Sequence, residues 1–208
     1  MIDNILNILD PMVIIKTLGL VGILFIVFAE SGLFFGFFLP GDSLLFTAGF
    51  LASQNYLNVT ILVWGSFVCA VLGDSIGYWF GKKVGPKIFT REDSFFFHKK
   101  HIERAQNFYN KYGNKTIFLA RFVPIVRTFA PIVAGVGRME YRNFISYNII
   151  GGFVWSFGMI YSGFFLGQIV PNVDRYILPI IILIIVISLL PLIFEFIKHK
   201  KEKINPIS

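Results

Sequence analysis

Charged residues are scarce in this sequence. They make up 15% of its 208 residues, whereas 55% are hydrophobic and 25 residues are phenylalanine. A soluble domain carries about 25% charged residues, and too few polar residues are present here to cover a water-soluble core. Several windows of about 20 residues contain almost no charge, which is the length that spans a bilayer. The composition therefore argues against a soluble globular fold and predicts an all-α integral membrane protein.

Cysteine and histidine are also rare. Cys69 is the only cysteine, which excludes an intrachain disulfide and a thiolate metal cluster. The three histidines (His98, His101 and His199) all lie in basic stretches, and no acid or cysteine is spaced to complete a metal site with them. We therefore expect neither a metal nor a cofactor.

Five apolar stretches organise the chain, and three of them predict full transmembrane helices. These three cover residues 57–81, 145–168 and 176–197. A helix rises ~1.5 Å per residue and the hydrocarbon core is ~30 Å thick. Each of these stretches is therefore long enough to cross.

The other two apolar stretches are interrupted. Residues 18–53 are broken at Pro40 and Gly41, and residues 116–138 contain Pro124 and Pro131. Proline disrupts a helix interior, and the limbs on either side of these breaks are mostly too short to cross a bilayer. Both stretches predict re-entrant helical hairpins.

Basic segments orient the predicted spans. Residues 82–115 contain nine Lys/Arg and three Asp/Glu, and the tail at 198–208 contains four lysines and one acid. Basic loops stay in the cytoplasm, so both segments and the C-terminus are predicted inside. The first hairpin then enters from outside and the second from inside, as in an inverted repeat. The sequences at the two breaks, FFLPGDS and RFVPIVR, share little.

Two flanking segments are predicted to be amphipathic. One is the N-terminal segment at 1–17, and the other is a helix within the basic linker, which Thr90 can cap. The apolar residues of the linker recur at helical spacing, with lysines and arginines on the other face. This helix suits either the anionic cytoplasmic leaflet or docking against protein.

Ionisable residues inside the broken stretches are the candidate functional residues. Glu30, Asp42, Arg121 and Arg127 fall at membrane depth, where a charge costs at least ~2.5–3.5 kcal/mol on insertion scales. Pairing between the hairpins would compensate that cost, and Asp74 in the second apolar stretch can join the network. One interpretation is that these ion pairs only lock the fold, although buried pairs often stabilise no better than apolar packing.

The other interpretation is a transport site. Arginine presents a planar fork of donors that matches phosphate oxygens, so Arg121 and Arg127 are predicted to bind a phosphate headgroup. A buried carboxylate can bind and release a proton. Glu30, Asp42 or Asp74 could thus couple the movement of an anion to the proton gradient.

The same residues carry a family resemblance. The runs FAESGLFFGFFLPGDSLLFTAGFLA, GDSIGYWFGKKVG and FLARFVPIVRTFAPIVAGVGRMEYRNFISYNIIGGFVWS resemble the bacterial DedA family of SNARE-associated, or VTT-domain, membrane proteins. The resemblance covers residues 21–167. It implies two facing re-entrant hairpins and lipid translocation, with undecaprenyl phosphate or a phospholipid as substrate and the proton motive force as a driver. It also implies functional roles for Glu30, Asp42, Arg121 and Arg127.

The leading hypothesis is therefore a non-enzymatic flippase for an anionic phosphate lipid in the bacterial inner membrane, with undecaprenyl phosphate as the favoured substrate. The expected partners are this lipid, protons and anionic lipids of the cytoplasmic leaflet, with a homo-oligomer possible and nucleic acid not expected. Two alternatives stay open, an ion/proton antiporter and a membrane-homeostasis scaffold without transport. A phosphatase acting on the same lipid would need a nucleophile or base near the arginines, and no histidine lies at membrane depth.

Overall fold

The computed structural model describes residues 11–33, 36, 39–89, 113 and 115–169. This part of the chain contains six α-helices and no strand, which confirms the predicted all-helical class. The helices are α1 (Pro11–Gly32), α2 (Gly41–Ser53), α3 (Val59–Phe89), α4 (Lys115–Ala120), α5 (Pro124–Val136) and α6 (Tyr141–Ile169).

Several predicted segments lie outside the described residues. They are residues 1–10 of the N-terminal segment, most of the linker at 82–115, the span at 176–197 and the tail at 198–208. The predicted span at 57–81 corresponds to α3, which begins two residues later than predicted and continues to Phe89.

Two described helices are long and apolar enough to cross a membrane. They are the Val59–Val84 part of α3 and the whole of α6. At ~1.5 Å per residue these segments reach ~39 Å and ~43 Å, more than the ~30 Å of the hydrocarbon core. Large apolar side chains on both helices, including Leu72 and Phe165, are more than half exposed. Large exposed apolar faces of this kind are favoured in lipid and not in water.

Proline marks the start of both short inner helices. Pro40 precedes α2, where its carbonyl accepts a hydrogen bond from the Ser43 hydroxyl at 3.0 Å. Pro124 is the first residue of α5, and Val123 before it is extended, as a residue preceding proline tends to be. Each helix has 13 residues and so a length of ~20 Å, which is too short to cross the hydrocarbon core.

The first helix is broken near its beginning. Gly19 has φ +58° and ψ −153°, outside the helical region, and a positive φ of this size favours glycine. The break leaves an apolar segment at Leu18–Gly32, which carries Glu30 into the protein.

The short helices pack reciprocally on the two long ones. Helix α2 packs mainly on α6, and α5 packs mainly on α3, so each short helix meets the long helix of the other half. Helices α1 and α4, which precede the short helices, pack on the long helix of their own half, α1 on α3 and α4 on α6. This exchange ties the two halves of the chain together.

Close contacts fix the direction of these helices. The rings of Trp64 and Phe157 lie 5.3 Å apart and those of Phe67 and Phe153 lie 6.1 Å apart, so α3 and α6 run antiparallel. By contrast, α2 runs parallel to α6, since Phe46 and then Ser53 meet Gly163 and then Gly167. Helix α5 runs parallel to α3 in the same way. The second half therefore repeats the first with its long helix reversed.

An internal repeat in the sequence follows this arrangement. It is revealed by pairs of small residues separated by 86 positions, and Gly49, Gly81, Gly135 and Gly163 among them lie against the backbone of a neighbouring helix. The pairs are Ala48/Ala134, Gly49/Gly135, Gly65/Gly151, Gly77/Gly163 and Gly81/Gly167. Small residues let helices in lipid approach closely. Aligning FFLPGDS with RFVPIVR matches two prolines that are 84 positions apart. This offset differs from the 86 positions of the repeat, so that alignment misses the repeat.

Candidate functional site

Arg127 lies in a clamp of two carboxylates from the first helix pair. It belongs to the first turn of α5, and its Nη1 donates to Asp42 Oδ1 at 2.7 Å while its Nη2 pairs with Glu30 Oε1. Glu30 is near the end of α1 and Asp42 is in the first turn of α2. The clamp therefore joins the tips of the two predicted hairpins.

Arg121 has a separate clamp. This residue directly follows α4, and its Nη1 donates to Asp74 Oδ2 at 2.7 Å and to Asn148 Oδ1 at 2.6 Å. The Asn148 amide in turn donates to the carbonyl of Val71 at 3.1 Å. Asn148 thereby has its oxygen fixed toward the guanidinium, so both long helices hold Arg121 in place.

Trp155 of α6 links the two clamps. The guanidinium carbon of Arg127 lies 4.8 Å from the centre of its ring, and that of Arg121 lies 5.7 Å away. Both distances are within the range of cation–π attraction. The indole Nε1 also donates to Asp42 Oδ1 at 2.7 Å. A single side chain therefore contacts both arginines and one of the acids.

A small cavity lies among these side chains. The centre of a water molecule can occupy about 10 Å³ of this cavity. The cavity therefore has room for about one water. It is lined by Ser31, Asp74, Ile117, Arg121, Arg127, Ala130, Pro131 and Trp155. In this arrangement a phosphate group does not fit without movement of the surrounding side chains.

The structure brings all five predicted charged residues into this region. Glu30, Asp74, Arg121 and Arg127 are buried, and Asp42 is the most accessible, with 21% of its side chain exposed. The two arginines share no carboxylate among the described ion pairs. Three acids thus face two guanidiniums, which leaves one negative charge in excess when every group is ionised.

The predicted break residues occupy two kinds of position. Pro40, Gly41 and Pro124 lie where the short helices begin. At Gly41 an added Cβ would overlap the carboxylate of Glu30, so glycine makes room for that acid. Pro131 lies inside α5 and lines the cavity.

Sequence reasoning missed Trp155 and Asn148. Both lie inside a stretch without charge, where a polar group needs a partner because no water is available. A tryptophan at the centre of a span, and not at the interface where tryptophan is enriched, was the available signal. An amide within the same span was the second signal, because such groups bond across helices.

No group of three His, Cys, Asp or Glu among the residues 11–169 that the structure describes is placed to hold a metal ion. The site therefore consists of buried ion pairs around one indole ring, set between helices that pack in two reversed halves. This fold and site define a helical membrane protein with an internal charge cluster.

The comparisons with known proteins give the family. Residues 39–165 match the family described as the VTT domain. The chain is 48% identical to the protein named DedA of Escherichia coli (strain K12) over 178 residues, which are 85% of this chain and 81% of that protein. The chain belongs to the VTT-domain (DedA) family of membrane proteins.

Further relatives are named only as membrane proteins. An uncharacterized membrane protein of Mycobacterium tuberculosis (strain H37Rv) is 47% identical over 193 residues, which are 89% of this chain and 84% of that protein. One of Synechocystis is 35% identical over 133 residues, which are 64% of this chain and 61% of that protein. No solved structure matches the chain.

Proposed function

We propose that this chain is a lipid transporter that carries an anionic phosphate lipid between the leaflets of the bacterial inner membrane. The substrate proposed is undecaprenyl phosphate, returned to the cytoplasmic leaflet. The observation that carries the proposal is the pair of buried arginines, Arg121 and Arg127, which line one cavity and pair with separate carboxylates.

Burial explains why these arginines suit a phosphate. A guanidinium stays charged and presents several donors in one plane, and in a site with little water its attraction for an anion is stronger than in solution. The carboxylates that now hold the arginines stand where an anionic headgroup would have to bind. Phosphate binding then displaces a carboxylate instead of adding a charge to an empty pocket.

The charge balance supports proton coupling. Glu30, Asp42 and Asp74 oppose only two guanidiniums. A phosphate that replaced a carboxylate would leave that acid unpaired in a medium where an unpaired charge is costly. Taking up a proton removes the cost. Each cycle of lipid binding and release would therefore bind and release a proton at this cluster, which links transport to the proton gradient.

The arrangement of the helices supports alternating access. We infer that α1–α2 and α4–α5 are re-entrant hairpins from opposite sides of the membrane, since α2 and α5 are too short to cross and α3 and α6 run antiparallel. The basic linker, the tail and the C-terminus are placed on the cytoplasmic side, where they would meet anionic lipids. The lipid tail would remain in the bilayer, so the site must open sideways between helices.

The test is a flipping assay with matched arginine variants. The chain is reconstituted in liposomes, and movement of labelled undecaprenyl phosphate between leaflets is followed under an imposed pH gradient. The variants Arg121→Ala and Arg127→Ala are compared with Arg142→Ala, which removes an exposed arginine at the start of α6. Wild type and Arg142→Ala are expected to move the lipid, and the two cluster variants are expected to lose most of that activity.

Three other outcomes would contradict the proposal. If correctly inserted wild-type protein moves no phosphate lipid but exchanges a cation for protons, the ion/proton antiporter is the better function. If it moves neither, the scaffold alternative gains. Equal lipid movement by the wild type and both cluster variants would show that the arginines serve the fold alone.

A further inference from the structure

One oxygen atom of the charge cluster accepts two hydrogen bonds, both from helices in the other half of the chain. Asp42 Oδ1 lies 2.7 Å from Arg127 Nη1 and 2.7 Å from Trp155 Nε1. The Trp155 ring also stacks against the Arg127 guanidinium at 4.8 Å. Two fixed donors thus converge on one position, and at present a carboxylate oxygen occupies it.

The chemistry of these donors is not specific for a carboxylate. An indole N–H only donates, and a guanidinium binds carboxylate and phosphate oxygens with the same geometry. Asp42 is also the carboxylate best placed to leave. Its side chain is 21% exposed, compared with 4% for Glu30 and 9% for Asp74. Asp42 also lies in the first turn of α2, next to the interruption at Pro40 and Gly41.

We propose that Trp155 is a third donor of the phosphate site, and that Asp42 occupies the position of a phosphate oxygen while the site is empty. When the headgroup enters, one of its oxygens takes the place of Asp42 Oδ1 and accepts hydrogen bonds from Trp155 Nε1 and Arg127 Nη1. This inference rests on the proposed function and adds to it a binding residue that carries no charge.

Trp155 has a simpler alternative role, which is only to hold Asp42 in place. The two roles differ once the Asp42 charge is removed. In an Asp42→Asn background the internal competitor is neutral, so a phosphate lipid binds more tightly than to the wild type. Loss of the indole N–H then weakens phosphate binding if Trp155 donates to the ligand, and has no effect if Trp155 only holds residue 42.

The experiment is a double-mutant cycle on the purified full chain in detergent micelles. Binding of undecaprenyl phosphate is measured by titration calorimetry for the wild type, Asp42→Asn, Trp155→Phe and the double variant. Phenylalanine keeps an aromatic ring beneath the arginines and lacks the N–H donor. A hydrogen bond to a charged group predicts roughly tenfold weaker binding by the double variant than by Asp42→Asn alone.

Each outcome of the cycle is decisive. Equal affinity of the double variant and Asp42→Asn would overturn the donor role of Trp155 and leave the proposed function standing. Absence of saturable lipid binding to both the wild type and Asp42→Asn would overturn the proposed function and this inference together. Inorganic phosphate and undecaprenol are titrated in parallel. The same tenfold loss with inorganic phosphate, without preference for the lipid, would keep the donor and overturn the lipid as its ligand.

Fluorescence gives a second readout, which does not require the Trp155→Phe variant to fold. The chain has three tryptophans, so Trp64→Phe with Trp79→Phe leaves Trp155 as the sole tryptophan that emits. Trp64 packs on Phe153 and Phe157 on the outer face, and Trp79 packs on Tyr141. Undecaprenyl phosphate is expected to shift the Trp155 emission and undecaprenol is not. An unchanged spectrum at saturating phosphate lipid would overturn the proposal.

Discussion

The side-chain amide of Gln54 donates a hydrogen bond to the backbone carbonyl of Gly167 at 2.9 Å. The turn between α2 and α3 therefore lies at the same end of the protein as the C-terminal end of α6. At the opposite end, the Tyr78 hydroxyl donates to the carbonyl of Met139 at 2.5 Å. These two contacts place the α2–α3 turn and the α5–α6 turn at opposite ends of the long helices.

The first prediction concerns this topology. Cys69 is replaced by alanine, and single cysteines are introduced as Tyr56→Cys in the first turn and Glu140→Cys in the second, where both native side chains are exposed. A membrane-impermeant thiol reagent added to intact cells is expected to label position 56 only. Position 140 should react after the membrane is permeabilised. Labelling of both positions from one side would contradict the proposed insertion of the hairpins.

The second prediction concerns the stability contributed by Arg127. Removing one partner of a buried ion pair leaves an uncompensated charge, which typically costs about 3–5 kcal/mol. Arg127→Met should therefore lower the thermal unfolding temperature in detergent, and adding Glu30→Gln and Asp42→Asn should recover much of the loss. The recovered triple variant should still fail to move lipid.

Arg142→Met is the matched control for that series, because its side chain is exposed and surface charges contribute little to stability. An unchanged unfolding temperature for Arg127→Met would show that Glu30 and Asp42 do not depend on this arginine. A triple variant with full transport would show that the cluster is not the substrate site.

The third prediction tests the close packing of the two halves. An added Cβ at Gly163 would overlap the carbonyl oxygen of Phe46, whereas one at Gly158 on the same helix has nothing within 4 Å. Gly163→Ala should destabilise the protein by about 1–3 kcal/mol through overpacking, and Gly158→Ala should be neutral or slightly stabilising. Equal unfolding temperatures of the two variants would contradict the contact between α2 and α6.

The fourth prediction tests Asn148 as a support for Arg121. Its amide oxygen accepts from Arg121 and its amide nitrogen donates to Val71. Asn148→Leu should cost about 1–3 kcal/mol, since it removes a hydrogen bond to a buried charged group, and should reduce lipid movement as Arg121 loses its position. Asn143→Leu near the start of α6 is the control, because Asn143 bonds only to the exposed Glu140 among the described contacts. Loss of transport in the control as well would remove the specific role of Asn148.

The fifth prediction concerns proton coupling. Glu30→Gln and Asp42→Asn each remove one acid that can exchange a proton at the cluster, and each keeps a side chain of similar size. Lipid movement by these variants in liposomes is expected to become independent of an imposed pH gradient, while the wild type responds to it. Lys83→Gln, an exposed change at the end of α3, should respond as the wild type does. A retained response in both acid variants would exclude Glu30 and Asp42 as the coupling groups.

Much of the fold could be predicted from the chain because bilayer thickness and proline act locally. The lengths of the apolar stretches at 57–81 and 145–168 anticipate α3 and α6, and the prolines at 40 and 124 mark the starts of α2 and α5. The internal repeat was readable too, but only from the glycines. The charged residues near the two prolines diverge between the halves because each half contributes different members of one charge cluster.

The sequence by itself determined that this is a helical membrane protein, where its two short helices begin, and which charges must be buried and compensated. These properties follow from the cost of placing charges and unpaired backbone groups in hydrocarbon. The tertiary structure decided the partners. Arg127 meets Glu30 and Asp42 across 97 and 85 residues, and Trp155 meets Asp42 across 113. Such pairings depend on how reversed halves pack, and neither local helix propensity nor spacing along the chain encodes that packing.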